Sequence, residues 1–349
     1  MNNKILTKQE ILNVKIKNPE KIFQGNLIEL KKIYRQLSIA WHPDKNNDKD
    51  SHIVFAHINL LYHSAVDKLN NGILGDVKNI IDIKYKDGNE ATLKFYKEMP
   101  TEMGNMYISN NLITWKFRNE FINDVKKGLN NIKNISFRNE KMKQDFQKYI
   151  PKLHKFIESE DYFYVLISKE SRFINLLDIY KYFNEKMDVR HVAWILSVLY
   201  NQICFLHFNN IMHGGLTIEN IYIDPKMHDG IILGGWWYSL PNNEKLSILS
   251  KKAVDIAPVS MINNKKSDLL LDLEMIKSIG IQLLGHKNGI QLKNDKDVPQ
   301  PLTDWLRTAS LGEAVKDYSF WFNNVLPQSF GERKFVEMKI NINDIYTGE

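Results

Sequence analysis

The chain has 349 residues, 43% of them hydrophobic and 25% charged, with a net charge of +6. That length exceeds one small domain and implies two or three compact units. The composition is globular, the mild charge gives no reason to invoke nucleic acid, and the single Cys204 excludes an intramolecular disulfide or a multi-cysteine zinc site.

The opening MNNKILTKQEIL lacks the apolar core of a signal peptide, which predicts a soluble, cytoplasmic protein. Heavy use of Lys, Ile and Asn suits an AT-rich genome such as a bacteriophage's. Leu27, Leu30, Tyr34, Leu37 and Trp41 recur at three- and four-residue spacing and predict an amphipathic helix. Lys31, Lys32 and Arg35 fall on its exposed side. Pro43 cannot continue the helix and biases His42 away from helical angles, so the helix stops at His42-Pro43-Asp44. Phe55, Ile58, Tyr62, Ala65 and Leu69 then share a face, which predicts a second helix packed antiparallel on the first. Residues 1–72 hold 11 Lys/Arg against 7 Asp/Glu, a charge suited to steering toward an acidic partner surface.

LIELKKIYRQLSIAWHPDKN, from Leu27 to Asn46, resembles helix II and the HPD loop of a J-domain. The run from Ile58 to Tyr62 is similar to that of helix III. The resemblance implies docking on an Hsp70 chaperone and stimulation of its ATPase. Lys31, Lys32 and Arg35 would make the docking contacts. His42, Pro43 and Asp44 would engage the junction of nucleotide domain and linker.

Asn70-Asn71-Gly72 is the best domain break. Val77–Lys84 and Ala91–Tyr96 flank a Lys86-Asp87-Gly88-Asn89 turn and predict a β-hairpin. A helix follows, with Phe117, Phe121, Val125 and Leu129 on one side. Tyr149–Phe156 and Tyr162–Ser168 read as strands around a Glu158-Ser159-Glu160-Asp161 turn. From Phe173 onward the pattern is mainly helical, with one long helix from the N-cap Asp188 to about Phe208. Its apolar run from Val192 is interrupted by Asn201 and Gln202 and is too short to span a bilayer comfortably. Cys204 sits in this run as a buried, inert thiol.

A small β-rich part with one helix, followed by a helical part, resembles a protein kinase over roughly residues 73–340. Ala91-Thr92-Leu93-Lys94 is similar to the strand bearing the phosphate-contacting lysine, with Glu120 as its ion-pair partner. His213-Gly214-Gly215-Leu216-Thr217-Ile218-Glu219-Asn220 matches the catalytic-loop pattern without a gap, and Ile221-Tyr222-Ile223 follows as a strand. Ser267-Asp268 through Leu284-Gly285 resembles the large hydrophobic helix of the kinase C-lobe. The whole is closest to J-domain proteins fused to a degenerate kinase-like domain.

The departures decide the chemistry. A kinase needs one carboxylate to accept the hydroxyl proton and another to hold the metal. Gly215 stands at the first position. The second falls, depending on register, on Gly234 or Gly235. No glycine-rich phosphate loop appears between Val77 and Lys94. Thr217 replaces the usual catalytic-loop lysine, and Ala257-Pro258-Val259 stands for A-P-E without its glutamate. Losing a general base alone costs about 10²–10⁴ in rate, so the resemblance implies a pseudokinase with no catalytic residue, metal or cofactor.

The expectation is therefore an α+β chain: a J-domain hairpin over 1–72, a kinase-like N-lobe over 73–170 and a C-lobe over 171–349. It implies an Hsp70 co-chaperone whose residues 73–349 hold one or a few protein clients. No gly/Phe-rich or cysteine-rich client module of general J-proteins is present. Lys94, Glu120, His213 and Asn220 would form a degenerate nucleotide site. The rivals are an atypical phosphotransferase that recruits Glu219 or Asp224 to the metal, and a viral scaffold that captures host Hsp70.

Overall fold

The computed structural model describes residues 6–24, 27–70, 79–332, 334–340 and 342–346. It is a mixed α/β chain with a helical N-terminal unit ahead of the sheets.

The helical unit comprises α1 (Lys8–Leu12), α2 (Leu27–Ala40) and α3 (Ser51–Asn70). Thr7 and Glu10 form a reciprocal capping box at the start of α1. Leu30, Leu37 and Trp41 bury against Val54, Ile58, Leu61 and Ala65, and Ile11, Val14 and Phe23 close the core. The buried stripe of α3 thus lies one residue round from the expected one. Phe55 and Tyr62 are only partly buried at its flank. The side chains of Leu27 and Leu69, and the break at Asn71-Gly72, lie outside the described residues.

The expected hairpin forms as β1 (Asn79–Lys84) and β2 (Glu90–Phe95), paired antiparallel, with its first residues 77–78 outside the described ones. Gly88 takes the turn at φ 84°, where glycine alone is unstrained. Five further strands make one antiparallel sheet in the order β3-β4-β5-β7-β6. They are β3 (Lys97–Thr101), β4 (Gly104–Ile108), β5 (Leu112–Arg118), β6 (Lys152–Glu158) and β7 (Tyr162–Ser168). Ile83, Leu93 and Phe95 of the hairpin pack with Tyr107, Ile157, Tyr164 and Leu166 of this sheet.

Two boundaries differ from expectation. Phe117 belongs to β5, and the helix α4 begins only at Ile122 and ends at Lys133. Ile113, Trp115 and Phe117 alternate along the strand so that all three face Val125 and Leu129 of α4. The strand expected from Tyr149 begins at Lys152, because Gln147–Tyr149 completes a helical turn.

The chain crosses from sheet to helical half at residues 169–173, where the buried Lys169 Nζ donates to the carbonyl of Phe173 at 3.1 Å. The helical half follows as α5 (Glu140–Phe146, ahead of β6), β8 (Ile174–Asn175), α6 (Leu176–Tyr182), α7 (Val189–Phe208), β9 (Ile211–Met212), β10 (Ile221–Asp224), β11 (Asp229–Ile232) and β12 (Leu240–Pro241). Asp188 caps α7 through the Arg190 amide, as expected. Among the described residues α7 is the one helix long and apolar enough to cross a membrane, and most of it is buried inside the fold. Gln202, the interruption in its apolar run, donates to the Gly230 carbonyl at 3.0 Å and accepts from the Ile232 amide at 3.2 Å. It docks the β10–β11 hairpin on α7 and leaves no polar atom stranded. Beyond lie α8 (Lys251–Ile256), α9 (Val259–Asn264) and the core helix α10 (Leu270–Leu283), with α11 to α15 completing the half.

Candidate functional site

The first site is the loop between α2 and α3. His42 is partly exposed and Asp44 is 86% exposed. The Asp44 amide donates to His42 Nδ1 at 3.2 Å, so a neutral imidazole carries its proton on Nε2. The ring meets Phe55 edge-on, centroids 5.5 Å apart. The amides of Lys45 and Asn46 both reach the His42 carbonyl at 2.9 Å, and Asn46 Nδ2 ties back to the Ala40 carbonyl at 2.8 Å. The far end is held by Lys8, which pairs with Asp48 at 3.3 Å and also with Asp50. Imidazole, rigid ring and carboxylate are therefore held in one presentation by backbone bonds.

Beside this loop runs a groove of about 420 Å³ lined by Lys31, Tyr34, Arg35, Ser38, Ile39, His42, Lys45, Phe55 and Tyr62. Lys31 and Arg35 line it because their spacing puts them on one face of α2, and His42 joins them from the loop beyond Ala40. Lys32 is exposed but falls outside the lining. Tyr34 forms the floor, stacked on Tyr62 at 4.2 Å with its hydroxyl donating to Asn59 at 2.8 Å. A basic rim over an aromatic floor can bind an acidic and apolar surface. It contains no nucleophile–base pair.

The second region is the loop from His213 to Asn220. The buried Asp272 of α10 accepts from the amides of His213 and Gly214, each at 2.8 Å, and from His207 Nε2 at 3.1 Å. His213 is wholly buried and packs edge-on against Trp236 at 4.8 Å. Burial pushes its pKa down to about 4. Asn220 Nδ2 donates to the Gly215 carbonyl at 2.9 Å, and its own carbonyl takes the amides of Leu233 and Gly234 at 3.0 and 3.1 Å. His213 Nδ1 accepts the Gly215 amide at 3.2 Å while its buried Nε2 has no partner among the described residues, so Asn220 and one edge of His213 hold the loop.

Gly215 and Gly235 meet each other, while Gly234 faces Asn220 and Trp115. A Cβ on Gly215 would lie 2.5 Å from the Gly235 carbonyl oxygen, and one on Gly235 would lie 2.4 Å from that of Gly215. A Cβ on Gly234 would lie 2.3 Å from Asn220 Oδ1 and 2.9 Å from Trp115. Backbone closes the space at Gly215 and Gly235, and the side chains of Asn220 and Trp115 close it at Gly234. Next to it, Trp237 packs edge-on against Trp115 and Phe117 at 5.3 and 4.8 Å.

Lys94 and Glu120 are not brought together. Lys94 is exposed on β2 in the outer hairpin. Glu120 precedes α4 in a short turn and pairs with Arg118 at 2.7 Å. The expected pairing fails because Ala91–Lys94 pairs with β1 and is not a strand of the five-stranded sheet. Asp224 is also committed, to Arg172 at 2.6 Å and to the amides of Lys226 and Met227. Glu219 lines a large open cleft. Among the described residues no group of three His, Cys, Asp or Glu side chains could hold a metal ion.

That cleft, about 1240 Å³, lies between the β3–β4 turn, the Leu216–Asn220 loop and Tyr238 to Asp255. Glu102 bridges it, accepting from the Tyr238 hydroxyl at 3.1 Å and from the Lys251 amide at 3.0 Å. Trp115 and Glu102 were not singled out in the sequence. The alternation of Ile113, Trp115 and Phe117 was the available signal for the first; for Glu102 there was none. Cys204 is partly buried, and burial raises its thiol to about 12, which leaves it unreactive.

Compared with protein-family models and with curated proteins, the chain gives no match.

Proposed function

We propose that residues 6–70 act as a J-domain-like module that docks on an Hsp70 chaperone and stimulates its ATPase. The observation that carries this reading is the His42-Pro43-Asp44 loop. It is fixed by backbone bonds at the end of a basic groove, with the imidazole Nε2–H and the Asp44 carboxylate available to a partner. Charge in the rim would speed encounter with an acidic surface, and the loop would set register.

The rest of the chain is, in this reading, a kinase-like module without catalysis that binds one or a few protein clients. Its antiparallel sheet, single covering helix and helical half suit a kinase-like layout. Aligned that way, β5 takes the place of the lysine-bearing strand: Trp115 packs with Val125 and Leu129 of α4, and Lys116 lies over the Tyr162 ring at 3.9 Å. Gly215 stands where one carboxylate would be and Gly234 or Gly235 where the other would be, and Gly215 and Gly235 touch each other's backbone. Positioning and charge stabilisation are nearly all that protein supplies to phosphoryl transfer, and each is missing here.

The test is single-turnover ATPase of an Hsp70 from the native host with the full chain. The wild type is expected to stimulate and His42→Gln to abolish stimulation while the circular dichroism is unchanged. Equal stimulation by both proteins would reject the J-domain reading.

A further inference from the structure

Residues 334–340 and 342–346 run across the helical half to the seam with the sheet. Phe335 stacks on His228 at 4.1 Å, and His228 stacks in turn on Trp194 of α7 at 4.5 Å. Met338 is buried in the main core, with Ile340, Ile342 and Ile345 packed against it. The segment ends its described course at Tyr346 in α15 (Ile342–Tyr346).

Tyr346 touches both halves. Its ring lies parallel to that of Tyr96, 11° apart with centroids at 5.6 Å, at the start of the sheet. Its hydroxyl accepts the Asn175 amide at 3.1 Å, at the start of the helical half. Asn175 Nδ2 reaches the Glu219 carbonyl at 2.7 Å, and Leu177, two residues on, lines the large cleft. Lys97, next to Tyr96, pairs with the buried Asp178, which makes a second bond across the same seam.

We infer that these residues form a strap that locks the sheet half against the helical half, with Tyr346 as a removable stopper in an aromatic slot at the seam. The crossing at residues 169–173 is the covalent hinge between the halves, and the strap adds a non-covalent one beside it. The stacked ring supplies contact area, and the phenolic oxygen accepts the Asn175 amide at the edge of the β8–β10 pair. Anything that draws the strap away would uncover that amide and leave a slot shaped for a six-membered ring. The inference is independent of the chaperone reading, since it uses no residue of the helical N-terminal unit.

The test is hydrogen exchange on the full chain with Tyr346→Ala and Tyr346→Phe. In Tyr346→Ala the amides of Asn175 and of Tyr96–Lys97 are expected to exchange at least about tenfold faster, while those of α7 keep wild-type protection. Added p-cresol, which restores the missing ring and hydroxyl, is expected to return protection to Asn175, since dry apolar holes bind such molecules. Tyr346→Phe keeps the ring and loses the acceptor, so Asn175 alone is expected to speed up, with no response to p-cresol. Unchanged exchange at Asn175 in both variants would overturn the inference. So would a uniform loss of protection that includes α7, because that is the mark of a general structural residue.

Discussion

Gly215 and Gly235 lie backbone to backbone: a Cβ on either would come within 2.5 Å of the other's carbonyl oxygen. In the kinase-like reading Gly215 stands for one catalytic carboxylate and Gly234 or Gly235 for the other, and a side chain at any of the three would collide with its neighbours. Gly235 is closed a second time by its φ of 80°.

The first prediction is that restoring the carboxylates damages the protein without restoring chemistry. Gly215→Asp and Gly235→Asp are each expected to destabilise by about 1–3 kcal/mol or more, the range for overpacking a close contact. For a unit of this size each kcal/mol lowers the melting point by about 2–4 °C. Thermal melts followed by tryptophan fluorescence check it. A melt within 1 °C of wild type, or labelled phosphate transferred by the double variant, would reject the account of these glycines.

The groove beside His42 separates three lysine and arginine positions that composition treats alike. Lys31 and Arg35 line it and Lys32 does not. Charge reversal by Lys31→Glu or Arg35→Glu is expected to weaken Hsp70 binding by roughly tenfold and to flatten its salt dependence. Lys32→Glu is expected to fall within about threefold of wild type, as an exposed charge off the contact. Calorimetric titration at two salt concentrations distinguishes them. An equal loss for all three would mean that net charge matters and the groove does not.

What was legible from sequence was local. The stripe from Leu30 to Trp41, the stop at Pro43 and the Asp188 cap each depend on neighbours within a few residues, and the fold keeps them. The meander from Lys97 to Arg118 was passed over. Its edge strand β3 carries Pro100, which speaks against a strand, while the alternation of Ile113, Trp115 and Phe117 in β5 is present but reads as the approach to a helix. Lys94 drew notice through a four-residue match, yet its strand pairs only with β1. The alternation puts Trp115 on the apolar face, but which strands flank β5 is set by pairing with distant residues that no local pattern carries. The mutual closure of Gly215 and Gly235 is of the same kind, since twenty residues separate them.

The buried His213 gives an acid-sensitivity prediction. Its pKa falls from an unfolded 6.5 to about 4, with burial the main cause. Above pH 6.5 the imidazole is neutral in both states and contributes nothing. Between pH 6.5 and 4 the unfolded chain binds a proton that the folded chain refuses, so stability falls as pH falls through that window. The full effect at pH 4 is roughly 3 kcal/mol from this one group. His213→Phe keeps the contact with Trp236 but loses the acceptor for the Gly215 amide. It is expected to be less stable at pH 7 and to show a shallower loss from pH 6.5 to 4. The residual slope would come from His191 and His228, which burial also shifts downward. Urea melts across that range measure the difference, and parallel slopes would contradict the assignment.

The last prediction concerns nucleotide. Trp237 against Trp115 and Phe117 fills the space beside the closed glycines, and Glu102 bridges the cleft to Tyr238 and Lys251. A triphosphate entering there would meet Glu102, Glu185, Glu219 and Asp255 beside Lys186, Lys251, Lys252 and Lys287, and among the described residues no metal-holding group gathers its phosphates. No specific ATP binding is therefore expected at millimolar concentration, with or without Mg²⁺. Ligand at about 100 times its dissociation constant stabilises a fold by roughly 2.7 kcal/mol. At about 2–4 °C per kcal/mol, ten-micromolar affinity would appear as a shift of several degrees in one millimolar ATP. Lys94→Ala is expected to change nothing, because Lys94 is exposed on the outer hairpin. A Mg²⁺-dependent rise of several degrees that Glu219→Gln abolishes would put a metal-bound nucleotide in the cleft and revive the phosphotransferase reading. A flat melting curve leaves that cleft free for a protein client, held open on one side by the bond from Tyr238 to Glu102.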